Sequence, residues 1–330
     1  MARFTGILIH RNASVALLDV LDAWLAQTEL ERLIVVDNGS TAEHLEALRA
    51  GLERAGLERA GLESAGLERP GLESAGLERG RPPGDNGPLI ELLEAGENLG
   101  FGPGANFGLR HWLASCNTDE DTEWVALAPH DAAPAVDCLE RMGAALDARP
   151  GAALACADVG DGSIPVFDPY FGGMVTVPGP AATPADPDGW EDVDYPHGTL
   201  MVARRAALEE IGLFDERYFM YFEDADFCRR ARDAGFQVWA VPQARMWHEV
   251  SVTAQRDWPL NRYHRALGQV RFYREHPHGQ LGLLRQAYVA ARVLYMALED
   301  LRHGDWQLLG ALWRGTRDGY SERRAVPGQR

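Results

Sequence analysis

The sequence contains no lysine: all 32 basic residues among its 330 are arginine. A Schiff-base lysine and a phosphate-loop lysine are therefore both excluded. Cysteine is scarce. Its four copies, Cys116, Cys138, Cys156 and Cys228, are too widely spaced for a disulfide framework or a zinc knuckle, and a reducing cytoplasm is the expected setting. No apolar run approaches the ~20 residues of a membrane span, and the opening MARFTGILIH lacks the pattern of a cleaved signal peptide. Positive charge is outnumbered, 32 against 49 acidic residues, for a net charge of -17. That balance excludes a nucleic-acid partner bound by general phosphate neutralisation. A nucleotide bridged by a divalent cation stays compatible with it.

What is present is ordinary globular usage, 46% hydrophobic and 25% charged, with length for about two domains or one large α/β domain with extensions. Ile7–Ile9 reads as a short strand. Val15–Leu25 has helical spacing, with Asn12 or Ser14 as caps. Leu33–Val36 is a continuous, β-branched-rich run of the kind buried in a parallel sheet. It ends in Asp37-Asn38-Gly39-Ser40, which is turn chemistry. This strand-helix-strand order predicts an open α/β sheet.

Residues 50–80 repeat AGLER with period five. The leucines then walk around a helix and line no face, so the segment reads as a low-complexity spacer, helical where ordered. The α/β pattern resumes at residue 89. A helix is predicted to follow the Gly-rich segment Asn98–Asn106 as far as Leu113. Strands are expected at Trp124–Leu127, Ala152–Cys156, Met174–Val177 and Gln237–Val241. Further helices are expected at Ala135–Leu146, Arg205–Ile211 and Asp224–Ala234, and from Leu260 onward.

Five groups carry candidate chemistry. Asp37 closes a buried strand, where open α/β sheets bind ligands; the alternative is a loop-shaping Asx turn. The Asn98–Asn106 segment lets backbone approach a ligand and opens a helix whose amides suit an anion, although a plain glycine turn reads equally well. His130-Asp131 follows a strand and offers donors for a Mn²⁺-type ion. The aromatic run Tyr218–Phe222 empties into Glu223, Asp224 and Asp226, with Arg230 placed to pair with Asp226 at i, i+4. A carboxylate beside such an apolar wall gains a raised pKa and can act as a base. Trp247-His248 follows a strand.

In this order the segments resemble inverting family 2 glycosyltransferases of the GT-A fold, rhamnosyltransferase-like members in particular, over roughly residues 4–250. The motifs are VVDNGS (35–40), NLGFGPGAN (98–106), HGTLMVARRAALEEIGLFDERYFMYFEDADFCRRARDAGF (197–236) and WH (247–248). The resemblance implies an α/β fold: a Rossmann-like mixed sheet flanked by helices, at residues 1–257, with a helical C-terminal extension at 258–330. It implies transfer of one sugar from a nucleoside-diphosphate sugar to an acceptor hydroxyl, in carbohydrate or natural-product biosynthesis. Asp224, or failing it Glu223, is then the base. Asp37, Asn98, Gly100, Phe101, Asn106 and His130 face the nucleotide. Asp131 and His248 hold a divalent cation, Mn²⁺ or Mg²⁺, and His197, Gly198 and Asp226 lie on the acceptor side. Where the family has two adjacent acids, this chain has His130 before Asp131, which leaves the metal requirement open. No QxxRW signature of processive synthases is present. The alternatives are a nucleotidyltransferase, disfavoured because the first strand leads into no Gly-rich loop, and a catalytically degenerate nucleotide-sugar-binding or partner protein. The all-arginine, alanine-rich usage points to a GC-rich bacterial source.

The tail differs from the body. Residues 258–330 carry twelve Arg and six acidic residues, a local +6, which leaves about -23 elsewhere in a chain of net -17. Two readings stand: a helical appendage that packs on the acidic body or makes a homodimer, and a basic amphipathic surface meeting the membrane peripherally at its inner face.

Overall fold

The computed structural model describes residues 2–55, 77–80, 87–115, 123–149, 151–158, 163–170, 174–178, 191–192, 199–248, 259–277 and 279–321. Most of the AGLER repeat, together with His197 and Gly198, lies outside these residues.

The strands are β1 (Phe4–His10), β2 (Leu30–Asp37), β3 (Leu77–Gly80), β4 (Leu89–Glu94), β5 (Trp124–Pro129), β6 (Ala132–Pro134), β7 (Ala152–Asp158), β8 (Ser163–Phe167), β9 (Met174–Pro178), β10 (Glu191–Asp192), β11 (Met201–Arg204) and β12 (Gln237–His248). The helices are α1 (Ser14–Leu25), α2 (Ala42–Arg54), α3 (Phe101–Ala114), α4 (Cys138–Asp147), α5 (Arg205–Ile211), α6 (Glu223–Asp233), α7 (Pro259–Glu275), α8 (Arg285–Arg302) and α9 (Trp306–Ser321). The main sheet has the order β10-β12-β7-β11-β5-β1-β2-β4-β3, with β6 paired to β12. Its centre, β5-β1-β2-β4, is parallel, whereas β11 runs antiparallel between β5 and β7. The expected mixed sheet flanked by helices, with a helical C-terminal extension, is what forms.

Apolar residues of β1 and β2 point to both faces, so two core clusters sandwich the sheet. Leu8, Leu33 and Val35 face one with α1, α2 and α4. Ile7, Ile34 and Val36 face the other with α3, α6 and α7. This is why both strands read as unbroken apolar runs rather than alternating ones. Val270, Phe272 and Tyr273 of α7 belong to the second cluster, so α7 is built into the α/β core.

Strands β6, β8, β10 and β11 were not expected, α4 starts at Cys138 rather than Ala135, and four further differences bear on local structure. Helix α1 takes Ala13 as its N-cap, without a side-chain cap. Helix α3 begins inside the Gly-rich motif, at Phe101, because Pro103 fits a first turn and the glycines serve close packing. Strand β12 runs on past Pro242 to His248; an irregularity between Val241 and Arg245 accommodates the proline and lets the strand leave β7 for β6. The last repeat unit, Leu77–Gly80, is an edge strand antiparallel to β4 rather than helix.

Candidate active site

Parallel pairing aligns the carboxyl ends of β1, β2 and β5. His10 sits opposite Asp37 in the β1–β2 register, and Ile9 opposite Pro129 in β1–β5, just before His130-Asp131. His10 organises this rim. The Ala13 amide donates to its Nε2 at 3.1 Å, which leaves the ring proton on Nδ1. That nitrogen donates to Asp37 Oδ1 at 3.2 Å, while the Ser40 amide donates to Oδ2 at 3.1 Å. Burial opposes ionisation of Asp37, but hydrogen bonds from His10 and Ser40 outweigh it and hold the carboxyl below its usual range. The His10 and His130 rings meet edge to face, centroids 6.1 Å apart. Asp131 is buried, and the backbone of His248 pairs with Ala132 next to it.

Asn38 ties this rim to the Gly-rich segment. Its Nδ2 donates to the Gly100 carbonyl (2.8 Å), and its Oδ1 accepts from the Leu99 amide (2.9 Å). Asn98, itself exposed, accepts from the Gly100 amide in a local turn. Gly100 has φ +92°, and a Cβ there would lie 2.2 Å from the Phe219 carbonyl oxygen. The Phe101 amide donates to that same oxygen at 2.7 Å. Gly102 packs on Glu223, where an added Cβ would sit 3.2 Å from the Glu223 Cβ. The sequence thus spends these glycines on bringing α3 against the segment that precedes α6. Asn106 is fully buried. Its amide clamps Phe214 on both sides, donating to the carbonyl (2.8 Å) and accepting from the amide (3.0 Å). Its polar atoms are committed to holding the chain.

The acidic segment enters α6 through a strained turn. Tyr221 (φ 66°) and Phe222 (φ 70°) are both left-handed, a conformation costly for bulky residues and concentrated at functional sites. Glu223 follows, buried, with Oε2 unpartnered among the described residues. Burial, and secondarily the neighbouring Asp224 carboxylate, push its pKa up to about 8. Asp224 is half-buried and accepts from the Ala225 amide at 2.8 Å. Asp226 differs: it is wholly buried, receives the expected Arg230 pair (2.9 Å) and bonds His276 Nε2 at 2.8 Å. Arg230 also donates to the carbonyls of Ile211 and Leu213. This ion pair locks α6 to the chain around it, so Asp226 is placed inside the scaffold rather than on an open acceptor surface.

Oxygens of Asp215, Asp226 and Glu275 converge within 4.8 Å of one another, an acidic cluster that can hold a divalent ion. Arg217 donates to both Asp215 and Glu275, and Arg230 and His276 to Asp226. Two arginines thus face three carboxylates, so the cluster is partly charge-compensated. His10, Asn38, Arg217, Glu275 and His276 were missed from sequence. The in-register ends of β1 and β2 could have revealed His10. No local signal marks Glu275 or His276, which reach the site only through the packing of α7.

The fold of the chain is that of a mannosyltransferase from Pyrobaculum calidifontis solved with GDP-Man and Mn²⁺ (TM-score 0.53, 17% identity, 97% of this chain and 87% of that one). GalNAc-T7 with UDP, GalNAc and Mn²⁺ shares it too (TM-score 0.57, 12% identity, 87% and 53%). Residues 188–265, which include the strained turn and α6, match the glycosyltransferase like family 2 profile. The chain thus shares the fold of these sugar-nucleotide-bound structures, and residues 188–265 resemble family 2 glycosyltransferases. An N-acetylglucosaminyl-diphospho-decaprenol L-rhamnosyltransferase of Mycobacterium tuberculosis is 29% identical over 198 residues, 52% of this chain and 62% of that protein. A low-salt glycan biosynthesis hexosyltransferase of Haloferax volcanii is 39% identical over 51 residues, 16% and 17%. The match thus spans under two thirds of the mycobacterial relative's length.

Proposed function

We propose that the chain transfers a single sugar from a nucleoside-diphosphate sugar to an acceptor hydroxyl, with inversion at the anomeric carbon. The observation that carries this reading is the Glu223-Asp224 pair. It sits behind a strained turn and against the Gly-rich segment, within the family-matched stretch. Burial favours the neutral form of Glu223, and Asp224 is the less buried member of the pair. It is the group placed to take the acceptor proton as the hydroxyl attacks, while the diphosphate departs. Asp37, held ionised by His10 and Ser40, orders the loop on which the nucleoside would rest.

Two carboxylate sites could hold a divalent cation: Asp131, buried and next to His130 in the chain, and Asp215, Asp226 and Glu275, whose oxygens lie within 4.8 Å of one another. Arg217 and Arg230 offset two of the three charges at Asp215, Asp226 and Glu275, so a cation there would compete with these arginines. Such an ion would supply Lewis-acid stabilisation of the leaving diphosphate. Structures sharing the fold were solved with Mn²⁺, which supports a metal requirement for this chain as well.

The test is nucleoside-diphosphate release from UDP-, GDP- and dTDP-sugars with Mn²⁺, Mg²⁺ or EDTA, for the wild type, Asp224→Asn and Asp131→Asn. One donor should be turned over. Asp224→Asn should lose about 10²–10⁴-fold in turnover with donor binding intact, and Asp131→Asn should lose the response to metal. Near wild-type turnover by Asp224→Asn sinks the base assignment. Release that EDTA leaves unchanged removes the metal.

A further inference from the structure

The C-terminal helices carry two apolar faces each, and only one face of each is packed. On α8, Arg285, Val289 and Asp300 are buried, and Asp300 accepts from Arg262 of α7 at 2.6 Å. At 3.6 residues per turn the opposite side presents Ala291, Leu294, Leu298 and Leu301, spaced three, four and three apart. All four are exposed, Leu294 at 61% and Leu298 at 56%. On α9, Leu308, Ala311, Leu312, Gly315 and Gly319 are buried. Gly315 lets α9 cross α7 so closely that a Cβ would sit 2.2 Å from the Tyr263 carbonyl oxygen. The other side of α9 shows Trp306, Trp313 and Tyr320, seven residues apart, with the tryptophans 71% and 69% exposed. Tyr320 donates to Gln286 of α8 at 2.9 Å, which sets the two exposed faces edge to edge. Arg292, Arg302 and Arg314 are exposed around them.

We propose that this surface of α8 and α9 docks in-plane on an anionic lipid membrane. Leucines enter the acyl boundary, the tryptophans and Tyr320 sit at headgroup level, and the arginines meet lipid phosphates. Exposed apolar area on this scale marks an interaction surface. Trp and Tyr beside Arg is the composition of a membrane interface. Charge selects the occupant. Residues 258–330 are +6 against about -23 elsewhere, and Arg292, Arg302, Arg314 and Arg317 are exposed on α8 and α9, so an anionic bilayer attracts this end of the chain and repels the rest. None of the described helices is long and apolar enough to cross a membrane, so the contact is peripheral. The inference stands independently of the transferase reading.

The test is sedimentation of the full chain with vesicles of phosphatidylglycerol and phosphatidylcholine, and with phosphatidylcholine alone, at low and high salt. Two double variants accompany it, Leu294→Gln with Leu298→Gln and Arg302→Gln with Arg314→Gln. All four positions are exposed and outside the site, and circular dichroism checks the fold. The wild type should sediment with the anionic vesicles, be released by salt and ignore the neutral ones. Each double variant should weaken partition about tenfold or more. Failure to sediment with anionic vesicles overturns the proposal, as does sedimentation that both variants leave unchanged. A solution dimer that Leu294→Gln with Leu298→Gln returns to monomer also overturns it, by assigning the face to a second copy.

Discussion

Two adjacent carboxyls with different surroundings define the chemistry at residue scale. Glu223 is walled in by Gly102 of α3, and the turn that delivers it is covered by α7 through Gly268 and Phe222, so burial favours its neutral form. Asp224, one residue on, turns toward a less buried place. Glutamine mimics the protonated acid, so Glu223→Gln should keep turnover within a few-fold at neutral pH, whereas Asp224→Asn should not. The reverse ranking would make Glu223 the base. The raised pKa also has a stability consequence. An unfolded glutamate ionises near 4.5, so the preference of the fold for neutral Glu223 is fully present below that pH. It is lost as pH rises toward and through about 8. Thermal midpoints of wild type and Glu223→Gln should therefore converge at low pH, with the variant gaining steadily toward pH 9. A constant difference across that range would mean Glu223 is ionised in the fold. The carboxylate run and its aromatic wall were legible in sequence. The family resemblance ranked Asp224 ahead of Glu223, but the reason for the difference was not legible, because burial of Glu223 comes from α3 and α7, far away in the chain.

Between elements, glycines and one asparagine do the joining. Strands β1, β2 and β5 were legible because burial on both faces leaves an apolar run no local turn can imitate. The Asn98–Asn106 segment was legible as important but not in form. Glycine permits both a ligand-cradling loop and close helix packing, and only the partner, the Phe219 carbonyl, decides between them. Asn106 illustrates the same limit, since an asparagine read as a nucleotide contact is engaged by the Phe214 backbone. Gly100 and Gly96 separate the two roles of glycine by experiment. Both have positive φ, 92° and 76°, but a Cβ at Gly96 meets nothing within 4 Å. Gly96→Ala should cost about 1–2 kcal/mol for backbone conformation alone. Gly100→Ala adds a clash with backbone and should cost about 3 kcal/mol or more. Equal losses in urea denaturation would show that the α3 contact with residues 219–223 yields easily.

For the whole molecule, the question is whether the C-terminal helices are an appendage. Drawn from sequence, the boundary at 257/258 follows a change from mixed to helical pattern and from acidic to basic charge. Packing does not respect it. Phe272 of α7 is fully buried among Phe167, Phe222, Tyr273 and His276. Glu275 and His276, at the end of the same helix, hold Arg217 and Asp226. Long-range pairing of this kind leaves no trace in periodicity, since α7 looks like any other helix until its partners are known. The division with physical meaning falls after α7. Helix α7 completes the core and braces α6, whereas α8 and α9 lean on α7 and turn an apolar face outward. Phe272→Ala should then cost about 3–5 kcal/mol, a large share of the 5–15 kcal/mol typical of a folded domain. It should also lower activity by loosening the turn at Phe222. Leu298→Ala, on the exposed face of α8, should stay within about 0.5 kcal/mol. A chain ending at residue 257 should fail to unfold cooperatively. If it melts cooperatively near the wild-type midpoint, α7 is an appendage after all and the bracing of α6 by His276 is dispensable.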